Sequence, residues 1–239
     1  MSSKETYKHL NEYLDNHYIH KSNWLRAAVL GANDGILSTA SIAIGVAAAS
    51  STREPIILAT LAGLVAGALS MAAGEYVSVS SQTDLETADI NREREELLEM
   101  PELELKRLAQ IYEQRGLKKE TALQVAIEMT EHDALSAHVR DELGINEISQ
   151  ANPIQAAIAS GASFTVGGIL PLLVVLLLPL QNMEYLLYST TILFLATLGA
   201  VAAKTGGAKV GKAILRITFW GTIAMGLTAL VGYLFGVNI

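Results

Sequence analysis

The chain has 239 residues, of which 51% are hydrophobic and 17% are charged, and its formal net charge at pH 7 is −7. This composition is too hydrophobic for an ordinary soluble domain and too charged for a helical bundle that lies wholly within lipid. The sequence contains no cysteine, which excludes disulfides and thiolate metal sites, and nothing in this acidic chain indicates a nucleic-acid partner.

The segment before Trp24 is polar and lacks the hydrophobic region and the cleavage site of a secretory signal peptide. Leu10, Leu14 and the aromatic residues around them favour a short amphipathic helix at the membrane surface. A partly disordered tail explains the same composition equally well.

Five apolar runs, each about the 20 residues that a membrane-spanning helix needs, follow this segment. They predict an all-α membrane protein with transmembrane helices at about 25–49, 56–80, 154–179, 185–203 and 214–236. A polar stretch separates the second run from the third and carries most of the acidic residues. The expected domains are an amphipathic segment with the first two spans (1–83), a cytosolic helical metal-binding insertion (84–150) and the last three spans (151–239).

Lys and Arg residues near the ends of the spans indicate the orientation. The loop PLQNMEY has no basic residue, whereas AKTGGAKVGKAILR contains Lys204, Lys209, Lys212 and Arg216. All strongly basic segments lie on one side of the membrane if the N-terminus is cytosolic. Five spans then place the C-terminus outside.

The first span contains an ionisable residue, Asp34, in the stretch GANDGILST. At 1.5 Å per residue, Asp34 lies ~14 Å from the cytosolic end, level with Met71 of the second span, while Glu75 lies at ~8 Å. Met71 and Glu75 are four residues apart and share a helix face. Gly31, Gly35, Gly63, Gly67 and Gly74 in these spans permit close backbone approach and leave room for a pathway between helices.

Ionisable side chains inside a membrane are costly and usually functional. Carboxylates beside a thioether suit a transition metal softer than Mg²⁺ or Ca²⁺, such as ferrous iron. We therefore predict a transport pathway through Asp34, Met71 and Glu75. The alternatives are a core packing role for Met71 and structural hydrogen bonding for the two acids.

The second span has no stop signal, and no Gly or Pro occurs from Ser78 to Pro101, so we expect one helix to continue to the residues before the proline. Two further helices are predicted at about 102–115 and 119–143, each ended by a glycine. Helical spacing places four residues on one stripe of the long helix: Asp89, Glu93, Glu96 and Met100.

Folding of these three helices against one another would bring acidic and thioether side chains together, with imidazole close by. The predicted metal ligands are Glu93, Glu96, Glu104, Met129 and Asp133, with His132 and Met100 as further candidates. Such a set would capture a divalent transition metal reversibly. From spacing alone, an acidic solvated three-helix hairpin is an equal alternative.

Four motifs, in order, carry a family resemblance: GANDGILST, GALSMAAGEYVSVSSQTD, NREREELLEMPELE and MTEHDALSAHVRDELG. With the later GGILPLL and KTGGAKVGKAILR, the chain resembles the vacuolar iron transporter family over nearly its whole length. The resemblance implies an exporter of Fe²⁺, and in some members of Mn²⁺, that exchanges metal for protons; Co²⁺ and Zn²⁺ are further candidate cargoes for the same ligands. It further implies a homodimer in the lipid bilayer with no tightly bound cofactor and no catalytic residue. It assigns Asp34, Met71 and Glu75 to the pathway and the five predicted ligands to a cytosolic metal-binding domain.

One departure from the family pattern concerns Arg107, which stands where another acid is often found one turn after Glu104. A cation there would lower the metal count or the affinity of the insertion. The HDALSAH stretch is more typical of bacterial members, which implies export across a bacterial plasma membrane; a eukaryotic member would act at a vacuolar membrane.

Two other functions use similar residues. A membrane-anchored ferritin-like di-iron oxidase needs paired Glu-x-x-His motifs, and none occurs in this sequence. A metal sensor on a passive membrane anchor would have no reason to bury Asp34 and Glu75. Both are weaker explanations than a transporter.

Overall fold

The computed structural model describes residues 22–50, 52–145 and 152–236. The predicted amphipathic segment around Leu10 and Leu14 lies outside these residues. Within the described part, the chain forms seven α-helices and no strand. They are α1 (Ser22–Ala49), α2 (Arg53–Glu99), α3 (Pro101–Gln114), α4 (Lys119–Asp141), α5 (Pro153–Leu177), α6 (Met183–Thr205) and α7 (Val210–Gly236).

Five of these helices, α1, α2, α5, α6 and α7, are long and apolar enough to cross a membrane. This confirms the prediction of an all-α membrane protein with five spans. Apart from the C-terminal end of the second span, which continues beyond the apolar run, the helix ends lie within about four residues of those predicted.

Helix α2 has 47 residues and ends at Glu99, two residues before Pro101. The prediction of one continuous helix through the end of the second apolar run is therefore confirmed. Its long apolar run lies in the N-terminal half, and the residues after Ser80 are mostly polar or charged. The pyrrolidine ring disfavours helical geometry for the residue before it, which ends the helix here.

The first compact unit contains the described residues of α1, the N-terminal part of α2 up to Glu75, and α5 to α7. Helices α1 and α5 are in backbone contact, because a Cβ atom built on Gly35 would lie 2.1 Å from the carbonyl oxygen of Phe164. Only glycine allows this approach. The largest buried apolar cluster of this unit consists of Ala40, Ala43, Ile44, Ile56, Val174, Val175, Met183, Leu187 and Met225.

The second compact unit, Tyr76–Pro153, contains the polar end of α2, all of α3 and all of α4. Its apolar core consists of Leu108, Ala109, Tyr112, Ala122, Ala126 and Ala137. Gly116 and Gly144 follow α3 and α4 with positive φ angles of 101° and 69°, which glycine adopts without strain. Both glycines therefore end helices, as their positions predicted.

Helix α4 differs from the expected uninterrupted helix over 119–143. Asp133 has φ −164° and ψ 94°, an extended conformation that breaks the helix into two parts. The Asp133 Oδ1 atom accepts a hydrogen bond from the backbone N–H of Ser136 at 3.0 Å. Asp133 therefore caps the second part of α4, in the way that Asp caps a helix N-terminus.

Candidate metal centres

The first candidate centre is a groove of about 550 Å³ in the membrane unit, which we call the Asp34 groove. Asp34 from α1 and Met71 and Glu75 from α2 all line it, and Phe164 of α5 closes one side. The other lining residues are small or apolar: Ser38, Ile42, Gly63, Ala66, Gly67, Ser70 and Gly74. The structure thus brings the three predicted pathway residues to one groove.

The two carboxylates of this groove lack protein partners. Ser38 Oγ donates a hydrogen bond to the backbone carbonyl of Asp34 at 2.6 Å, which leaves the carboxylate uninvolved. Among the described residues, neither the Asp34 nor the Glu75 carboxylate makes a hydrogen bond or an ion pair. Structural hydrogen bonding therefore does not explain these acids in the part of the chain that the structure describes.

The second candidate centre, in the other unit, is a group of four side chains that we call the His138 cluster: Glu93, Glu104, His138 and Glu142. Glu93 comes from the end of α2, Glu104 from α3, and His138 and Glu142 from the end of α4. Each side chain offers one ligand atom, and these atoms all lie within 4.8 Å of one another.

The imidazole of His138 is at the centre of this arrangement. Its Nδ1 atom lies 2.9 Å from Glu93 Oε1, 3.0 Å from Glu142 Oε2 and 3.9 Å from Glu104 Oε2. Only the contact with Glu142 has hydrogen-bond geometry. Glu93 Oε1 lies close to the imidazole nitrogen but at an angle unsuitable for a hydrogen bond. One N–H cannot satisfy three carboxylates, so the protein alone leaves this site short of positive charge.

Burial makes the lack of positive charge in the His138 cluster energetically costly. Glu93, Glu104 and His138 are exposed by 3%, 1% and 0%, respectively. Glu93 Oε1, Glu104 Oε2 and His138 Nε2 are buried atoms without a hydrogen-bond partner among the described residues. Each buried unsatisfied polar atom costs about 1–3 kcal/mol and more if charged. A divalent cation among these ligands would remove the penalty, and three carboxylates with one imidazole fit a first-row transition metal.

The electrostatics of Glu93 agree with this description. Burial raises the pKa of the Glu93 carboxyl, the Glu142 and Glu104 carboxylates raise it further, and His138 partly opposes them. The guanidinium of Arg107 forms an ion pair with Glu142 Oε1, on the oxygen that does not face His138. Arg107, which the sequence identified as a departure from the family pattern, thus shares a carboxylate with the cluster.

A hydrogen-bonded network holds the end of α4 against α3 next to Glu142. Asp141 accepts hydrogen bonds from Tyr112 at 2.9 Å, from Arg115 at 2.6 Å and from Arg140 at 2.8 Å. Burial acts to raise the pKa of the Asp141 carboxyl, but these donors outweigh it and lower the pKa to about 2. The network fixes the position from which His138 and Glu142 reach the cluster.

Of the predicted ligands in the second unit, only Glu93 and Glu104 belong to the His138 cluster. Glu96 is paired with Arg92 at 2.8 Å, and Met129 packs against the apolar core of the unit. Asp133 is exposed and caps α4, and the hydrogen bond from the backbone of Ser136 lowers the pKa of its carboxyl. The two further candidates, His132 and Met100, are exposed.

His138 and Glu142 are the members of the cluster that sequence reasoning missed. They are four residues apart, the spacing that places two ligands on one helix face. That signal was present in HVRDE, but the ligands predicted on this helix, Met129, His132 and Asp133, all lie at or before the break at Asp133.

Comparison with known proteins gives consistent matches. Residues 25–233 match the sequence profile of the VIT family. A protein named Vacuolar iron transporter from Acanthamoeba castellanii is 44% identical over 214 residues, which cover 89% of this chain and 79% of the relative. Vacuolar iron transporter homolog 1 from Oryza sativa subsp. japonica is 36% identical over 222 residues, covering 92% and 78%. Vacuolar iron transporter homolog 2.1 from Arabidopsis thaliana is 34% identical over 212 residues, covering 88% and 81%.

Proposed function

The chain belongs to the VIT family, and we propose that it carries Fe²⁺ out of the cytosol through the Asp34 groove in exchange for protons. Membership of this family confirms the expectation of a transporter and not an enzyme. The relatives named as iron transporters support iron as the cargo. Ligand chemistry allows Mn²⁺, Co²⁺ and Zn²⁺ as competing cargoes.

The observation that carries this proposal is the Asp34 groove itself. Two carboxylates without protein partners and one thioether line one groove within a unit built of long apolar helices. A charged side chain at the centre of a membrane-spanning helix is unfavourable by about 2.5–3.5 kcal/mol on scales derived from insertion experiments. A divalent cation or a proton at the carboxylates compensates that cost, and exchange between the two is the transport step.

A second copy of the chain completes the pathway in this proposal. Asp34 is exposed on the single chain, where it lines the groove together with Met71 and Glu75. An exposed carboxylate facing lipid is far less favourable than one facing the same groove of a symmetric partner. Two grooves joined across a two-fold axis would surround the cargo with the carboxylates and thioethers of both protomers.

Proton coupling follows from the ligand set. Carboxylates bind metal only when deprotonated, so protons and metal compete for the same oxygens. In the proposed cycle the deprotonated Asp34 groove takes metal from the cytosol, and protons from the opposite side displace it there. The His138 cluster captures cytosolic metal beforehand and raises its local concentration. The other predicted ligands of that unit, Glu96, Met129 and Asp133, remain candidates for a second metal position.

The orientation remains as the Lys and Arg distribution predicts, with the N-terminus cytosolic and the C-terminus outside. In this orientation, export moves the metal ion from the cytosolic side of the membrane to the side of the C-terminus. A bacterial plasma membrane stays a prediction from the HDALSAH stretch, since the relatives compared above are from eukaryotes.

Metal flux into proteoliposomes tests this function. We expect uptake of Fe²⁺ that increases when the vesicle interior is made acidic, with weaker uptake of Mn²⁺, Co²⁺ and Zn²⁺ and none of Ca²⁺. Protein-free liposomes with the same gradient provide the background. Flux that ignores the imposed gradient would disprove antiport, and Ca²⁺ uptake equal to that of Fe²⁺ would disprove selectivity for transition metals.

A further inference from the structure

The α6–α7 end of the membrane unit has a strongly charged surface that the proposed transport does not use. Lys204, Lys209, Lys212 and Arg216 are all exposed, and none has an ion-pair or side-chain hydrogen-bond partner among the described residues. The sequence contains no acidic residue after Glu184. The positive charge of this end is therefore not neutralised by its own helices.

An apolar groove of about 440 Å³ adjoins these cations; we call it the Trp220 groove. Arg216 and Trp220, four residues apart on α7, line it together, and the facing walls come from α1 and α6. Its other lining residues are almost all apolar or small: Val29, Leu30, Asn33, Leu37, Gly199, Ala202, Ala203, Ala208, Ala213 and Ile217. A basic side chain and an indole one helical turn apart beside an apolar groove are typical of the lipid–water interface.

We propose that the Trp220 groove binds an anionic phospholipid, with an acyl chain in the groove and the phosphodiester at Arg216 and the neighbouring lysines. Basic pockets between transmembrane helices on the cytoplasmic side bind anionic headgroups. A guanidinium matches phosphate oxygens with two parallel hydrogen bonds, which a lysine cannot do. The hydrocarbon of the same molecule fills the apolar walls, which free phosphate would leave empty.

Two other occupants fit the charge less well. Residues 1–21 carry three lysines and three acidic residues, so this segment offers no net negative charge to the four cations. A second copy packed through this face about a two-fold axis would place the same four cations opposite themselves. An anionic lipid is the occupant whose charge complements the surface.

Native mass spectrometry of the full-length protein in detergent tests this assignment, with phosphatidylglycerol and phosphatidylcholine of identical acyl chains as probes. We expect the protein to retain phosphatidylglycerol in preference to phosphatidylcholine. The double variant Arg216→Gln, Lys212→Gln should lose about 25-fold in phosphatidylglycerol retention, because each of the two basic side chains near a headgroup contributes about a factor of five. Lys119→Gln, which removes an exposed lysine of α4, should retain the lipid as the wild type does, and Arg216→Lys should retain more than Arg216→Gln.

Four results would overturn the proposal. Equal retention of both lipids would show a groove without charge selectivity. Undiminished retention by the double variant, with its thermal unfolding unchanged, would place the lipid elsewhere. Displacement by millimolar inorganic phosphate would identify a phosphate site. Increased retention after deletion of residues 2–21 would show that the chain's own N-terminal segment occupies the groove.

Discussion

His138 Nδ1 lies 2.9 Å from Glu93 Oε1, although the two residues belong to different helices and both side chains are almost fully buried. Neither residue gains a stable environment from this contact alone, because the geometry is poor for a hydrogen bond and two further carboxylates lie within 3.9 Å of the same nitrogen. Such an arrangement is costly without a cation. We therefore propose that a metal ion binds at this contact and stabilises the second unit.

Replacement of His138 tests this assignment directly. His138→Ala removes the only nitrogen ligand of the cluster and should weaken Co²⁺ binding by about tenfold or more. Co²⁺ absorption, with X-ray absorption to detect imidazole, measures the loss on the full-length protein. His132→Ala is the matched control, because His132 lies on the same helix and is exposed. Loss of the imidazole signal in His132→Ala, and not in His138→Ala, would contradict the assignment.

Arg107 should limit metal affinity, because its guanidinium competes with the ion for the carboxylate of Glu142. Arg107→Gln should therefore increase Co²⁺ affinity, by about two- to fivefold for a pair that is partly solvent-exposed. Titration calorimetry at two salt concentrations measures both the gain and its salt dependence. Lys106→Gln removes an adjacent exposed charge and serves as the control. A lower affinity in Arg107→Gln would show that Arg107 holds Glu142 in its binding position.

Asp133 offers a test that separates a helix cap from a metal ligand. Asp133→Ala removes the acceptor for the Ser136 N–H and should increase hydrogen exchange in the second part of α4. Asp133→Asn keeps an acceptor oxygen and should preserve protection, since Asn caps helices as well as Asp does. Unchanged protection combined with a lower metal stoichiometry in Asp133→Asn would instead support the ligand role that the sequence predicted.

Much of the fold could be predicted from the sequence, because the lengths of the apolar runs and the positions of proline and glycine determine where the helices begin and end. The five apolar runs, the continuation of α2 to Glu99 and the glycine stops after α3 and α4 all depend on local chemistry. The approach of α1 to α5 at Gly35 and Phe164 depends on tertiary packing. The sequence indicated that these glycines permit close approach, but it did not indicate that α5 would be the partner.

Only two of the four residues of the His138 cluster were predicted from the sequence. Glu93 and Glu104 were found because they lie on regular helices whose spacing can be counted. His138 and Glu142 follow the extended residue Asp133, which changes the helical phase of everything after it. A single-residue break of this kind is set by the Asp133 cap and tertiary contacts, so the sequence did not indicate that His138 and Glu142 would lie beside Glu93 and Glu104.

Stability of the metal-free second unit should depend on pH in two opposite ways. The folded state raises the pKa of Glu93, so it binds a proton that the unfolded chain has lost, and stability falls as pH rises through that pKa. The folded state lowers the pKa of Asp141 to about 2. Its contribution, up to roughly 2 kcal/mol, is complete above the ordinary pKa and is lost as pH falls toward the lowered one.

Hydrogen exchange of α3 and α4 in the full-length protein, corrected for intrinsic rates, measures this dependence. We expect protection of the metal-free protein to fall as the pH rises through the raised pKa of Glu93, and Glu93→Gln should remove that decline. Saturating Co²⁺ should reverse that decline, because metal replaces the proton. A metal-free wild-type protein whose protection shows no decline above the ordinary pKa of a glutamate, or a Glu93→Gln variant with an unchanged decline, would contradict the raised pKa.

Fe²⁺ flux through Asp34→Asn in proteoliposomes tests the transport pathway most directly, because the amide keeps the size of the side chain and removes the charge that binds the cargo. Glu54→Gln, which removes an exposed acid from the first turn of α2 outside the Asp34 groove, is the matched control. We predict that Asp34→Asn reduces flux to the level of protein-free liposomes while Glu54→Gln transports as the wild type does. Wild-type flux in a correctly folded Asp34→Asn protein would contradict the account.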